Sequence, residues 1–412
     1  MMKYGLIGEK LGHSFSPIIH TRLSGEEYSL CEIAKDKLDE FMKEKNFTGI
    51  NVTIPYKETV LPYLDYIDSD AKTIGSVNTV VNREGQLYGY NTDAFGLSSL
   101  IAHIGIDLNG KTVAILGTGG TSKTAKYVSK SLGALEIYTV SRTEKSRVIT
   151  YDTLYSISET INVIINTTPV GMYPNTANAP LDISRFPNLI GVVDAVYNPL
   201  STRLILAAKK RGIPAEGGLY MLVSQAVRAS EHFHNTTYPS GTIDEIYEAV
   251  NKSVENIVLI GMPSCGKTTV GRKLAELLQR ELTDTDEIIK QRSGMEISDI
   301  FAIHGEEYFR ELETEVIKDV SLRRGQIIST GGGAPLRAEN VEALRQNGVI
   351  FFIDRPLELL LPTEDRPLSK DKSLMEKRYK ERYPIYTSVC DVIIDGRGSV
   401  SDVSSLILES FK

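Results

Sequence analysis

With 412 residues, 41% of them hydrophobic and 24% charged, the chain exceeds one ordinary core and suits two or three globular domains. A formal net charge of −7 argues against a nucleic-acid or anionic-membrane partner recognised through bulk electrostatics. Cys31, Cys265 and Cys390 lie far apart without metal-binding spacing, and no stretch is apolar enough for a leader or a membrane span, so a reducing, cytoplasmic setting is expected.

Residues 4–8 read as a first strand and 10–15 as a loop, with Ser16 as N-cap and Pro17 at the first position of a helix. Ser14 and Ser16 aim two hydroxyls at that helix mouth, where the dipole favours an anion. Residues 49–57 read as an alternating strand ending at Pro55, with Lys57 just past it. Segments 74–80 and 89–93 are further strand edges, and they place Asn78 and Asp93 at strand ends, where α/β sheets bind ligands.

Residues 112–116 predict a buried strand, followed by Gly117-Thr118-Gly119-Gly120-Thr121 and a helix to about Leu132, closed by Gly133. The strand–turn–helix setting points to dinucleotide binding, although the turn departs from plain G-x-G-x-x-G. The next strand, 135–140, ends in Ser141-Arg142-Thr143. Where an NAD site carries an acid for the ribose hydroxyls, an arginine accommodates a 2′-phosphate, so Arg142 predicts NADP. Strands at 162–168 and 192–197 and helices at 202–210 and from 217 onward complete this region. His232 and His234 have no third ligand and read as surface residues. A short helix at 243–250 leads to a joint near 252–255.

The apolar run 257–260 leads into Gly261-Met262-Pro263-Ser264-Cys265-Gly266-Lys267-Thr268-Thr269, a G-x-x-x-x-G-K-T phosphate loop. Its backbone N–H groups and the helix behind it offer an anion site, Lys267 adds a point charge, and the Thr268 hydroxyl is placed for Mg²⁺ on the same phosphates. Asp284 and Asp286 read as alternate residues of one strand end, sharing a face. One would hold Mg²⁺ through water and the other accept a hydrogen bond from an attacking hydroxyl. Helical stretches at 298–303 and 305–313, a strand at 326–330 running into Gly331-Gly332-Gly333, and a strand at 349–354 follow.

Ser-x-Ser at 14–16, Asn-Val-Thr-x-Pro-x-Lys at 51–57, Val-Asn-Thr at 77–79 and Asn-Thr-Asp at 91–93, in this order, resemble shikimate dehydrogenase. The resemblance implies a two-subdomain unit over residues 1–253. Its substrate subdomain would span about 1–105 and 219–253, and its Rossmann NADP subdomain about 106–218. Ser14 and Ser16 would hold the substrate carboxylate, Thr53, Asn78 and Asp93 its ring hydroxyls, and Lys57 would be the catalytic acid/base, kept in line by Asp93. Tyr197 and Gln225 fall at substrate-side positions and Gly218 faces the nicotinamide, while Met221 reads as packing. The family's Asn-Arg-Thr with a later arginine is here Ser141-Arg142-Thr143, with Ser146 at the later place.

Asp-x-Asp, Gly-Glu-x-x-Phe-Arg-x-x-Glu, Gly-Gly-Gly, Arg-Pro-Leu and Arg-x-Pro-x-Tyr resemble shikimate kinase over 256–412. This implies a P-loop α/β domain of the nucleoside-monophosphate-kinase kind, with a parallel sheet, over 254–412. ATP would lie on Gly261, Ser264, Cys265, Gly266, Lys267, Thr268 and Thr269, with Thr268 and Asp284 toward Mg²⁺. Asp286 would orient the attacking hydroxyl, Arg310 and Arg382 clamp the carboxylate, Gly332 contact the ring, and Arg366 in the lid touch the nucleotide. The lid stretch, 362–373, is short and carries Lys370 and Lys372 but no second arginine.

The expectation is a bifunctional enzyme of aromatic biosynthesis that reduces 3-dehydroshikimate with NADPH and phosphorylates shikimate with MgATP. A quinate-preferring NAD dehydrogenase fused to the kinase is disfavoured by Ser14, Ser16 and Arg142. A metabolite-sensing regulator on inactive folds is disfavoured by Lys57, Asp93, Lys267, Asp286, Arg310 and Arg382.

Overall fold

Short apolar runs become strands and the amphipathic stretches between them helices, giving three sheets in the computed structural model, which describes residues 2–12, 14–143, 146–360 and 372–411. The chain divides into two units, Met1–Val250 and Asn251–Lys412. No helix among the described residues is long and apolar enough to cross a membrane.

The first unit opens with β1 (Met2–Gly8), α1 (Ser16–Ser24), β2 (Tyr28–Glu32), α2 (Leu38–Glu44), β3 (Phe47–Val52), β4 (Tyr66–Ile67), α3 (Ser69–Ile74), β5 (Thr79–Arg83), β6 (Gln86–Tyr90) and α4 (Thr92–His103). The strands form one sheet in the order β2-β1-β3-β5-β6-β4. β1 runs parallel to β2 and β3, whereas β5 runs antiparallel to β3 and β6. Reversal of β5 puts its start beside the end of β3, with Thr79 opposite Asn51. Asn78 therefore precedes a strand instead of ending one, and still reaches the rim past which Lys57 lies. β3 is buried nearly throughout instead of alternating, because both its faces are covered. Phe47, Ile50 and Val52 pack with Leu38 and Met42, and a Cβ at Gly49 would meet the Phe233 ring on the other side.

Next come β7 (Thr112–Leu116), α5 (Gly120–Ser131), β8 (Glu136–Ser141), β9 (Ile149–Thr150), α6 (Tyr151–Ser156), β10 (Val163–Asn166), β11 (Gly191–Asp194), α7 (Arg203–Lys210), β12 (Ala215–Glu216), α8 (Leu219–His234) and α9 (Thr242–Val254). These strands make a parallel sheet, order β12-β11-β10-β7-β8-β9. Strand order reverses at β7, so a crevice opens outside its carboxyl end, where doubly wound sheets bind ligands. α8 returns to pack along α4 and α1.

The second unit holds β13 (Asn256–Ile260), α10 (Lys267–Leu278), β14 (Leu282–Asp284), α11 (Thr285–Ser293), α12 (Ile297–Ser321), β15 (Ile327–Ser329), α13 (Ala338–Asn347), β16 (Gly348–Asp354), α14 (Lys372–Val389), β17 (Val392–Asp395) and α15 (Val400–Ser410). Its five strands are parallel in the order β14-β15-β13-β16-β17, with the fully buried β13 at the point of reversal.

Candidate active sites

In the first unit, the turn after β3 is tied down at both ends. The Thr53 N–H donates to Ile7 O at 2.9 Å, the Val77 N–H donates to Lys57 O at 2.8 Å, and the buried Tyr56 hydroxyl donates to Ile33 O. Lys57 leaves this turn with its Nζ 2.5 Å from Asp93 Oδ2, their side chains 21% and 12% exposed. Asp93 sits in the first turn of α4, whose N-cap Asn91 accepts from the Ala94 N–H, so the helix terminus also favours its charge. Asn78 Nδ2 donates to Asp93 Oδ1 at 2.9 Å and lies 3.3 Å from Gln225 Oε1 on α8. Four expected site residues thus meet in one hydrogen-bonded set.

The Ser14 hydroxyl accepts from the Ser16 N–H at 3.2 Å and lies 3.1 Å from the Ser16 hydroxyl. This corrects the expected cap: Ser16 is the first helical residue, Phe15 occupies the cap position, and no side chain caps the end. The Ser14–Ser16 turn takes up the local donor instead. The Phe15 ring lies 5.7 Å from that of Tyr197, which brings Tyr197, from the loop after β11, beside the two serines. Thr53 is half-buried against Gly8, where the loop to Ser14 begins.

At the β7 crevice, Gly117 has φ 108° and the Ser122 hydroxyl closes the turn on Gly117 O at 2.7 Å. Gly119 and Gly120 face open space, so the α5 N-terminus is free to meet an anion, flanked by Thr118 and Thr121. Arg142 and Thr143 are exposed just past β8, and the Thr143 N–H lies 3.5 Å from the Ser141 hydroxyl. Gly218 begins α8 where a Cβ would lie 2.3 Å from Ala195 O. Bare backbone at the reversal point, with a cation beyond β8, fits a dinucleotide phosphate. His232 and His234 are not simple surface residues: His232 stacks on Tyr90, 3.9 Å between centroids, and His234 Nε2 lies 3.1 Å from Glu26 Oε2. Among the described residues no cluster of three or more His, Cys, Asp or Glu could hold a metal.

In the second unit the phosphate loop joins β13 to α10, and Cys265 is buried within it. Lys267 Nζ donates to Gly261 O and Met262 O, both at 3.0 Å, so the ammonium lies within the loop. The Thr268 hydroxyl donates to Asp284 Oδ2 at 2.7 Å, whereas Thr269 is exposed. Asp284 and Asp286 do not alternate on a strand. The Asp284 carboxylate accepts the Asp286 N–H at 3.0 Å, which caps α11 and places Asp286 in the helix's first turn. Both nonetheless line one cavity of about 330 Å³, a size suited to a small molecule. One hydroxyl and one carboxylate at its floor fit Mg²⁺, which usually takes one or two carboxylates together with substrate phosphates.

Arg310 and Arg382 line the same cavity. Arg310 Nη1 donates to Glu313 at 2.6 Å and Nη2 to Glu306 at 3.1 Å. Burial alone lowers the guanidinium's proton affinity, but the Glu313 charge and the bonds to both glutamates outweigh it and raise its pKa. Glu313, the last residue of the Gly-Glu-x-x-Phe-Arg-x-x-Glu motif, is fully buried and was given no role from the sequence, although its spacing three residues after Arg310 puts it on the same helix face. Gly332 O accepts from Arg382 Nη1 at 3.2 Å and from the Tyr386 hydroxyl at 2.5 Å. Burial pushes the Tyr386 pKa up to about 12, so it remains a donor. The glycine run is enforced by crowding: a Cβ at Gly331 would lie 2.7 Å from Asp286 Oδ1, and one at Gly333 2.2 Å from Arg310 Nη1. Arg378, also missed, lines the cavity one turn before Arg382. Arg366 and Lys370 lie outside the described residues.

A family model described as shikimate kinase matches residues 263–412, and one described as the shikimate dehydrogenase substrate binding domain matches residues 6–80. An NADP(+) shikimate dehydrogenase of Clostridium perfringens strain 13 is 38% identical over 267 residues, covering 60% of this chain and 98% of that relative. One from Clostridium beijerinckii is 40% identical over 243 residues, covering 55% and 90%. Among solved structures, shikimate dehydrogenase 1 from Peptoclostridium difficile matches with 39% identity and a TM-score of 0.56, covering 61% of this chain and 98% of its own. The Thermus thermophilus shikimate 5-dehydrogenase in complex with NADP(H) and shikimate matches with 29% identity and a TM-score of 0.54, covering 60% and 99%.

Proposed function

The chain belongs to the shikimate dehydrogenase family and carries a shikimate kinase domain behind that region, and on this premise we propose a bifunctional enzyme that reduces 3-dehydroshikimate to shikimate and phosphorylates shikimate to shikimate 3-phosphate. Gly117–Thr121, with Arg142 toward the 2′-phosphate and Gly218 toward the nicotinamide, would hold NADPH, which would supply the hydride when bound. The Lys57 ammonium gives a proton to the ketone oxygen as negative charge develops there, and C=O becomes CH–OH. Asp93 aims that ammonium. Ser14 and Ser16 bind the carboxylate, Thr53, Asn78 and Asp93 the ring hydroxyls, and Tyr197 and Gln225 complete the substrate side.

In the kinase, Asp286 accepts the proton of the shikimate hydroxyl whose oxygen attacks the terminal phosphoryl group of ATP. Arg310 and Arg382 bind the carboxylate by charge-assisted hydrogen bonds, and Gly332 borders the ring. Lys267 and Arg366 neutralise charge on the nucleotide; Mg²⁺ at Thr268 and Asp284 would add to this. The reading is carried by one coincidence: a Lys57–Asp93 pair 2.5 Å apart shares its unit with a crevice fit for a dinucleotide, in a chain whose second unit gathers Asp286, Arg310 and Arg382 in a cavity with Pro263 and Thr268 of the phosphate loop.

The test supplies the full chain with 3-dehydroshikimate, NADPH and MgATP and follows NADPH loss and shikimate 3-phosphate. Lys57→Ala should cut NADPH oxidation by ~100-fold or more and leave phosphorylation of added shikimate intact. Asp286→Asn should do the reverse. Wild-type rates in both variants, or faster oxidation of quinate with NAD than of shikimate with NADP, would overturn the reading.

A further inference from the structure

Behind the Lys57–Asp93 pair runs a sealed chain of polar side chains of which only Asn78 is used by a step above. Its far end is Tyr28 on β2, whose hydroxyl lies 2.7 Å from Asn51 Oδ1 on β3. Asn51 Nδ2 donates to Asn78 O at 3.2 Å and to the Thr79 hydroxyl at 3.0 Å. The Thr79 hydroxyl lies 3.2 Å from Asn78 Oδ1, and Asn78 Nδ2 donates to Asp93. Tyr28, Asn51, Asn78 and Thr79 are between 0% and 6% exposed, so water cannot substitute for a lost partner.

Proton direction in this chain is forced. The Asn78 backbone carbonyl can only accept, which turns Asn51 Nδ2 toward it and leaves Oδ1 facing Tyr28; the tyrosine must donate. Thr79, already accepting from Asn51, has its own proton for Asn78 Oδ1, either directly or through the Thr92 hydroxyl, which lies 3.2 Å from Thr79 Oγ1 and from Asn78 Oδ1 alike. The Thr92 N–H can only donate, and it donates to Asn78 Oδ1 at 2.7 Å, which fixes Asn78 Nδ2 toward Asp93. Each link therefore points its hydrogen at Asp93, which receives Lys57 on its other oxygen.

We propose that Tyr28, Asn51 and Thr79 are positioning residues of the dehydrogenase, a one-way hydrogen-bond chain that holds the Asn78 amide and, through it, the Asp93 carboxylate in the alignment Lys57 needs. The inference rests on the dehydrogenase reading. A partly broken buried network lets its members re-pair, and a small misplacement at a reacting group is costly in rate.

Thr79→Val keeps shape but removes both the acceptor and the donor; Thr79→Ser restores both. In the full chain, Thr79→Val should lower the dehydrogenase kcat ~10-fold or more while KM for NADPH stays within about twofold. Thr79→Ser should return kcat to within about threefold of wild type. Kinase activity of the same preparation gives the active concentration, and thermal melting with NADP reports folding of the first unit. If Thr79→Val does not fold, Tyr28→Phe, which removes only the terminal donor, takes its place with the same expected loss. A folded Thr79→Val or Tyr28→Phe chain at wild-type kcat, or Thr79→Ser no faster than Thr79→Val, overturns the inference. Should Lys57→Ala also keep its rate, the dehydrogenase site itself is wrong; if Lys57→Ala is inactive, only the relay falls.

Discussion

Burial of one imidazole links the first unit's stability to acid. His20, on α1, is 3% exposed and lies flat on the Tyr28 ring, 4.1 Å between centroids. Burial pulls its pKa from 6.5 to about 3, repulsion from His234 adds to this, and a hydrogen bond with Asn51 opposes it. The folded pKa lies below the unfolded one, so the stability contributed is present above about pH 6.5 and is lost as pH falls toward 3, on the order of 5 kcal/mol in total. Asp194 has the opposite sign. Burial raises its pKa from 3.8 to about 6, against the bonds from Thr202, Val196 and Asn166, so its contribution is present below about pH 4 and withdrawn as pH rises through 6. Between about pH 4 and 6 the two contributions oppose each other, so in melts of the first unit His20→Phe should shift the dependence of stability on pH toward falling with rising pH, and Asp194→Asn should shift it toward rising. Unchanged slopes in both variants would remove this account. The same scale separates what was legible from what was not. Lys57, Asn78 and Asp93 belong to short motifs in a recognisable order. Asn51 and Thr79 stand in those same motifs and Tyr28 in an ordinary strand position, yet none of the three carried a role in the sequence; only their partners, brought in by the β3–β5 register, give them one.

At the level of elements, helix capping and helix breaking shape the kinase cavity. Asp284 and Asp286 read naturally as alternate strand residues, but an aspartate accepting the N–H two residues on is a strong helix start, and it ends β14 at Asp284. Two helical stretches were expected around residue 305; the structure gives α12 (Ile297–Ser321) with a break at Gly305, where φ is 86° and ψ 174°. That backbone region is almost closed to residues bearing a Cβ, although a Cβ there would meet nothing within 4 Å. Gly305→Ala should therefore cost the second unit roughly 1–3 kcal/mol from backbone strain alone. Any relaxation toward a continuous helix would rotate Glu306 and Arg310, whose 3.1 Å contact orients the guanidinium. A several-fold rise in KM for shikimate should accompany the lower melting temperature, with KM for ATP less affected. A variant that melts and binds as wild type would show that the break carries no strain.

For the whole molecule, alternating strand and helix patterns announced two α/β units, but strand order was not readable, because a parallel strand pairs with a partner chosen by tertiary packing. The cores are separate in sequence. That of the second unit draws on residues from Ile257 to Phe411, while those of the first draw on residues up to Tyr247. Each unit then binds its own nucleotide, and a ligand that binds only the folded form stabilises that form by about 2.7 kcal/mol at a hundred times its Kd. NADP should raise the melting transition of the first unit and leave that of the second in place, whereas ATP with Mg²⁺ should raise the second alone. Lys267→Met, which removes the ammonium from the loop carbonyls of Gly261 and Met262, should abolish the ATP shift and preserve the NADP shift. Calorimetry of the full chain resolves the cases. If either nucleotide moved both transitions together, or if a single transition persisted under all conditions, the two units would fold as one cooperative body and the assignment of one nucleotide to each would need another basis.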